Sequence, residues 1–190
     1  MKRKYDLKQR AERQAETRQR IVEAAVALHS TVGPARTTIA AIAGRAGVQR
    51  QTVYAHFPSE AELFRACSAH WAELHPFPGD GLWAGLEPPE ERLRAALGSV
   101  YAWYEQVEED VAVFRRDAEL HPVDAEIIAE EDARLDRIAT DLARDWPRRK
   151  AIRAAIGHAL EFETWRSLVR RQGLARRQAI DAMSRFVSGA

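Results

Sequence analysis

The sequence of 190 residues holds one cysteine, Cys67, so it has no internal disulfide and nothing that points to an oxidising compartment. No apolar run approaches the roughly 20 residues of a membrane span. The basic start (Lys2, Arg3, Lys4) leads into mixed charge rather than the apolar segment of a signal peptide, so a soluble cytoplasmic chain without membrane contact is expected. Alternation of apolar and polar residues never lasts beyond a few positions, which argues against strands. Gly-x-Ser-x-Gly, a phosphate loop and His-Glu-x-x-His are missing. Gly79-Asp80-Gly81 with Gly85 lies in a Pro-rich stretch without the preceding strand that a nucleotide site requires. The expectation is therefore no enzyme, no cofactor and no metal. Cys67 and His70, three apart on one helical face, form one candidate ligand pair, against the plainer reading of a small core cysteine. His121 and His158 stand isolated. Lysine is scarce, 4 against 25 arginines, a bias that fits a GC-rich bacterial genome and excludes nothing.

Hydrophobic residues at 46% and charged residues at 30% are ordinary for a globular chain and exclude a disordered tail or a fibre. The net charge of +1 hides an asymmetry. Residues 1–57 carry 11 Lys/Arg against 4 Asp/Glu, a net of +7, and residues 58–190 carry 18 against 24, a net of −6. A basic third joined to an acidic remainder suggests that the first part meets a polyanion. Solvated faces of unequal charge are the alternative, so the pattern within the first third decides.

The periodicity predicts an all-α fold of about nine helices. From Thr17, apolar residues at Ile21, Ala24, Ala25 and Leu28 follow one helical face until Gly33 and Pro34. Thr38 can cap a short second helix. A third runs from after Gly47 to His56 or Phe57, and Pro58-Ser59-Glu60 opens a fourth that reaches Leu74. His75–Pro89, with four prolines, reads as the main linker. Beyond it Leu93, Leu97, Val100, Tyr104 and Val107 form one stripe, followed by a short helix around Val111–Leu120 that ends at His121-Pro122. The next helix carries Ile128, Leu135, Ile138 and Leu142. Pro147 suits the first turn of an eighth that runs to Gly173, and a last one carries Ala179, Met183, Phe186 and Val187.

Residues 39–54 are the most informative. Ile39 and Ile42 face inward, Ala43 is small where two helices approach closely, and Gly47 supplies the backbone for a sharp turn. Val48 and Val53 turn inward from the third helix, leaving Gln49, Arg50, Gln51 and Thr52 at its exposed beginning, the end that a recognition helix pushes into the major groove. Gln and Arg read adenine and guanine edges through paired hydrogen bonds. Tyr54 and His56, at the far end, suit backbone phosphates. An ordinary helical hairpin with a solvated face is the competing reading.

The stretch from Thr37-Thr38-Ile39-Ala40-Ala41-Ile42-Ala43 through Gly47-Val48-Gln49-Arg50-Gln51-Thr52-Val53-Tyr54-Ala55-His56-Phe57 resembles the DNA-binding signature of TetR-family transcriptional regulators. Ile21–Gly33 corresponds to the first helix and Ser59–Phe64 to the fourth. The resemblance implies a homodimer, usually a repressor, that leaves a palindromic operator on double-stranded DNA when a small molecule binds its C-terminal domain. It places Thr38, Gln49, Arg50, Gln51, Thr52, Tyr54 and His56 at positions that commonly touch DNA. Gln49 stands where the family usually has Ser, Gln51 where Gly or Ala is common, and Glu60 where a phosphate-binding Lys is usual. These departures keep open a helical sensor protein whose reader has lost specific DNA binding.

The expected organisation is a basic arm over 1–16, a helix-turn-helix domain over 17–58 and a helical effector-binding and dimerisation domain over 59–190. The arm either follows the DNA or is a frayed, solvated extension. In the third part, Glu90–Pro122 and Ala159–Val169 resemble AcrR-like members of the family. Trp71, Trp83, Tyr101, Tyr104 and Phe114 are candidate walls for an apolar or aromatic effector, against plain core packing. On the eighth helix Ile152, Ile156 and Leu160 lie on one side and Phe162, Trp165, Leu168 and Val169 on another. With Met183 and Phe186 of the last helix, Ile152, Ile156, Phe162, Trp165 and Val169 are the candidate dimer interface, as in the family. Burial within one subunit is the alternative.

Overall fold

A computed structural model describes residues 2–118, 120 and 122–190, and for 2–6 and 122–124 the backbone alone. His121 and the side chains of Lys2, Arg3 and Lys4 fall outside the described residues. Nine α-helices and no strand are found among those described: α1 Lys2–Thr31, α2 Ile39–Ala46, α3 Arg50–His56, α4 Glu60–Leu74, α5 Pro89–Asp117, α6 Pro122–Leu142, α7 Arg149–Leu160, α8 Phe162–Arg166 and α9 Arg176–Ser188. The all-α fold expected from periodicity is the fold observed. Among the described residues no helix is long and apolar enough to cross a membrane.

The chain packs as two compact units, Met1–Pro76 with Glu109–Glu126, and Phe77–Glu108 with Ile127–Ala190. In the first, α1 lies against α2, α3 and α4. Ile21, Val22, Ala25, Ile42, Ala43, Val53, Phe57, Leu63 and Cys67 fill the space between them. Burying each of the larger side chains stabilises this unit by about 1.5–3 kcal/mol. Arg20 Nη1 donates to the Ala46 carbonyl at 3.3 Å, and the Arg18 guanidinium lies 4.5 Å from the centre of the Phe57 ring. Both contacts tie α1 to the ends of α2 and α3.

The second unit is built on α5, whose Leu93, Leu97, Val100, Tyr101, Tyr104 and Val107 are buried. Ion pairs hold its outer face to the last helices: Arg94 with Asp181, Arg176 with Glu105 and Arg170 with Glu108. The Arg94 guanidinium holds the Asp181 carboxyl below its usual range.

Four expected boundaries differ. Helix α1 begins at Lys2 rather than near Thr17, because residues 7–16 contain good helix formers and no breaker, with a Lys8–Glu12 pair at 3.8 Å. The expected short helix at Val111 is the end of α5, since the four-three apolar stripe continues into buried Val111 and no Gly or Pro interrupts it. Pro147 precedes α7 by two residues, and Arg148, with φ 52°, makes the turn into it. The single helix expected across 152–169 is broken at Glu161, whose backbone is extended (ψ 139°). The break is made from a distance. Tyr101 and Tyr104 each donate a hydroxyl hydrogen at 2.8 Å to the last carbonyls of α7, those of Ala159 and Leu160, which a helix end leaves without partners.

Candidate nucleic-acid interface

Helix α2 starts where the Thr38 side chain accepts from the Ala41 N–H at 3.2 Å, so Thr38 caps the helix from an exposed position. It ends at Gly47, whose φ of 67° and ψ of 37° lie in the left-handed region that a Cβ disfavours. The Val48 N–H then donates to the Ala43 carbonyl at 3.0 Å, closing the sharp turn. Val53 is fully buried and pins α3 through its middle.

That anchor decides which side chains face outward. Gln49, Arg50, Gln51 and Tyr54 are exposed, while Thr52 and His56 are half-buried. Gln49 occupies the cap position of α3 without using its side chain, so its amide stays available. Arg50 forms no ion pair among the described residues. The expected DNA-facing residues therefore divide into an outward group at the start of α3 and a pair, Thr52 and His56, turned toward α1. Those two share a groove of about 460 Å³ with Gln9, Arg10, Arg13, Gln14 and Thr17. The sequence pointed to a basic arm but not to this juxtaposition, because it depends on α1 continuing as a rigid helix.

Glu60 is exposed in the first turn of α4, behind Ser59, whose hydroxyl accepts from the Glu62 N–H at 3.2 Å. An acid here stabilises the positive end of the helix and would repel a phosphate. Gly44, an exposed glycine inside α2, has open space around the position of a Cβ.

One residue in this unit escaped sequence reasoning. Asp117, at the end of α5 and 1% exposed, accepts from the Ala35 N–H at 3.1 Å and from Arg116 Nε at 2.7 Å. Arg116 also donates to the Val32 carbonyl. The two residues thus clamp the turn Pro34–Arg36 that leads into α2. Arg116 first, and then the Ala35 N–H, hold the Asp117 carboxyl below its usual range against the opposing effect of burial. Gly33 (φ 100°) is required beside it, since a Cβ there would sit 2.3 Å from the carboxylate.

Residues 21–67, from the middle of α1 to Cys67, match the family model of bacterial regulatory proteins, tetR family. The HTH-type transcriptional regulator TtgR of Pseudomonas putida is 47% identical over 60 residues, 32% of this chain and 29% of its own length. A probable acrEF/envCD operon repressor of Escherichia coli K12 is 35% identical over 82 residues, 43% of this chain and 37% of its own. A solved TetR-like transcriptional regulator from Rhodococcus sp. RHA1 superposes with a TM-score of 0.64, covering 90% of this chain and 93% of its own at 22% identity. Over residues 21–67 the chain thus resembles the TetR family, and its fold is that of the solved TetR-like regulator. The chain spans about a third of the length of the curated relatives it matches. The multidrug binding protein EbrR, solved with imidazole, has the same fold (TM-score 0.60, 18% identity, 90% of this chain and 89% of its own). The segment that matches the family model is the one that holds α2, the Gly47 turn and α3.

The candidate effector walls do not form one cluster within either unit. Trp71 packs edge-on against Phe114 at 5.4 Å and donates Nε1–H to Asp110 at 2.5 Å. Tyr101 and Tyr104 are fully buried and use their hydroxyls to close α7. Burial pushes the Tyr101 phenol well above its usual range. Trp83 is buried behind the turn Asp80–Leu82.

The candidate dimer residues also divide. Ile152, Ile156, Phe162 and Trp165 are 0–3% exposed within the chain itself. Phe162 and Trp165 pack on Tyr104 at 5.3 and 5.5 Å between ring centres. Val169, Met183 and Phe186 keep surface, Phe186 half of its own. Cys67 and His70 do not converge. Cys67 Sγ lies 3.3 Å from His29 Nδ1, whereas His70 meets Gln19 and Glu73.

Proposed function

We propose that the chain is a cytoplasmic, homodimeric transcription regulator that binds double-stranded DNA at a palindromic operator and, as a repressor, leaves it when a small molecule binds. Residues 17–58 act as the reader and residues 59–190 as the effector-binding and dimerisation part. The observation that carries this reading is the presentation of Gln49, Arg50, Gln51 and Tyr54 on a helix anchored by Val53 behind a left-handed glycine turn. Arg and Gln at the start of such a helix suit base edges, and Thr38, Thr52, Tyr54 and His56 suit the backbone. Val169, Met183 and Phe186 are the surface positions through which a second copy would pack. Trp71 and Phe114 are the aromatic pair retained as effector contacts, for an apolar or aromatic molecule. Selection of bound duplexes from a random pool tests the reading. Enrichment of a palindrome bound by two copies supports it, and a pool without enrichment, with and without cell-extract metabolites, replaces it with a helical sensor that has lost specific DNA binding.

A further inference from the structure

We propose that the N-terminal extension of α1 is a phosphate clamp, in which Arg10 and Arg13 grip the sugar–phosphate backbone beside the bases that α3 faces. The inference rests on the DNA-binding reading and adds a set of contacts outside residues 21–67, which match the family model.

Three observations carry it. First, the extension is helical and continuous with the packed part of α1, so its backbone carries Arg10 and Arg13 beside α3. A preorganised contact loses far less entropy on binding than a flexible arm does. Second, Gln9, Arg10, Arg13, Gln14 and Thr17 form one wall of the groove whose other wall is Thr52 and His56 of the reader helix. The groove therefore opens beside residues placed to meet DNA. Third, the charged side chains that line the groove, Arg10 and Arg13, have one sign. At 3.6 residues per turn, Glu12 and Glu16 lie roughly 90–130° around the helix from the centre of the groove-lining residues. Glu12 is engaged by Lys8, on the far side from the groove. Neither Arg10 nor Arg13 forms an ion pair or hydrogen bond among the described residues.

A groove with two permanent cations, flanked by amide and hydroxyl groups and closed by an imidazole, matches a phosphodiester. The planar guanidinium presents parallel N–H groups to its two non-bridging oxygens. Gln9 to Thr17 spans about 12 Å along the helix axis, which extends the reader's footprint along the backbone beyond the bases. Within the site, Thr52 and His56 then belong to the backbone contacts, and Gln49, Arg50 and Gln51 to the bases.

The test is the salt dependence of binding by the full chain to fluorescent duplexes, read by anisotropy between about 50 and about 200 mM salt. One duplex ends at the base pairs that α3 protects and the other extends about one helical turn beyond. The Arg10→Gln/Arg13→Gln variant keeps the helical propensity while removing both charges. On the long duplex its log–log slope is expected to be shallower than that of the wild type by about 1.8 per bound subunit, roughly 0.9 for each lost phosphate contact. On the short duplex the two slopes converge. Gln14→Arg, a gain of charge in the same groove, steepens the slope by about 0.9, a result that misfolding cannot mimic. An unchanged slope for the double variant on the long duplex, while Arg50→Ala still relaxes sequence preference, overturns the clamp and leaves the reader standing. The expected loss of slope in a wild type without sequence preference keeps the clamp and removes the reader. A wild type that binds no duplex at low salt overturns both.

Discussion

Asp117→Asn is the sharpest perturbation of the reader's support. The substitution keeps the shape of the side chain and removes the charge that Arg116 Nε (2.7 Å) and the Ala35 N–H (3.1 Å) address. Hydrogen bonds to a charged group contribute about 1.5–3 kcal/mol each, and breaking a buried ion pair costs about 3–5 kcal/mol. The Arg116 side chain is 49% exposed, so water receives the released guanidinium and the lower end applies. The expected loss is about 2 kcal/mol. With a urea slope of about 2 kcal/mol per M, the unfolding midpoint at pH 7 falls by about 1 M. The folded carboxyl is held below its unfolded value of about 3.9, so its contribution is complete above that value and drains away as pH falls through the folded one. The gap between wild type and variant therefore closes in acid. An unchanged midpoint at pH 7, or a gap that widens below about pH 4, refutes the clamp on the turn before α2.

Three further perturbations follow from particular positions. Gly44→Ala places a methyl in open space on α2 and is expected to stabilise the chain by about 0.5–1 kcal/mol, read as a thermal midpoint a few degrees higher. Tyr104→Phe strands the Leu160 carbonyl in the core and is expected to cost about 1–2 kcal/mol by urea unfolding, with no change expected in DNA affinity at a temperature where both proteins are folded. Glu60→Lys exchanges a helix-stabilising acid for a cation on the side proposed to face DNA, at a cost of about 0.5 kcal/mol in stability. It is expected to bind duplex more tightly at low salt, with a slope steeper by about 0.9 per subunit.

The parts legible in the sequence are those fixed by short-range chemistry. The caps at Thr38 and Ser59, the left-handed Gly47 and the spacing of Ile42, Ala43 and Val53 all lie within one or two helical turns of what they determine, and the structure has them as read. The features that were not legible depend on partners far along the chain. The break at Glu161 is made by tyrosines 56 and 58 residues from the carbonyls they bond, and no glycine or proline marks it. The Asp117 clamp joins residues 82 apart. The candidate interface residues on α7 and α8 look doubly apolar because α5 covers one side through Tyr104, and periodicity cannot say which body does the covering. Composition alone does not say how far α1 reaches back before Thr17, and the structure has residues 7–16 helical.

The central claim is that the exposed start of α3 reads bases while its far end holds backbone. It is tested most directly by measuring Arg50→Ala and Tyr54→Phe on the selected duplex and on its single-base variants at one salt concentration. The account predicts that Arg50→Ala loses about 1–3 kcal/mol and its preference at one base position per half-site, with preferences elsewhere intact. Tyr54→Phe is expected to weaken every duplex by the same factor. Equal weakening of all duplexes by Arg50→Ala would contradict the claim.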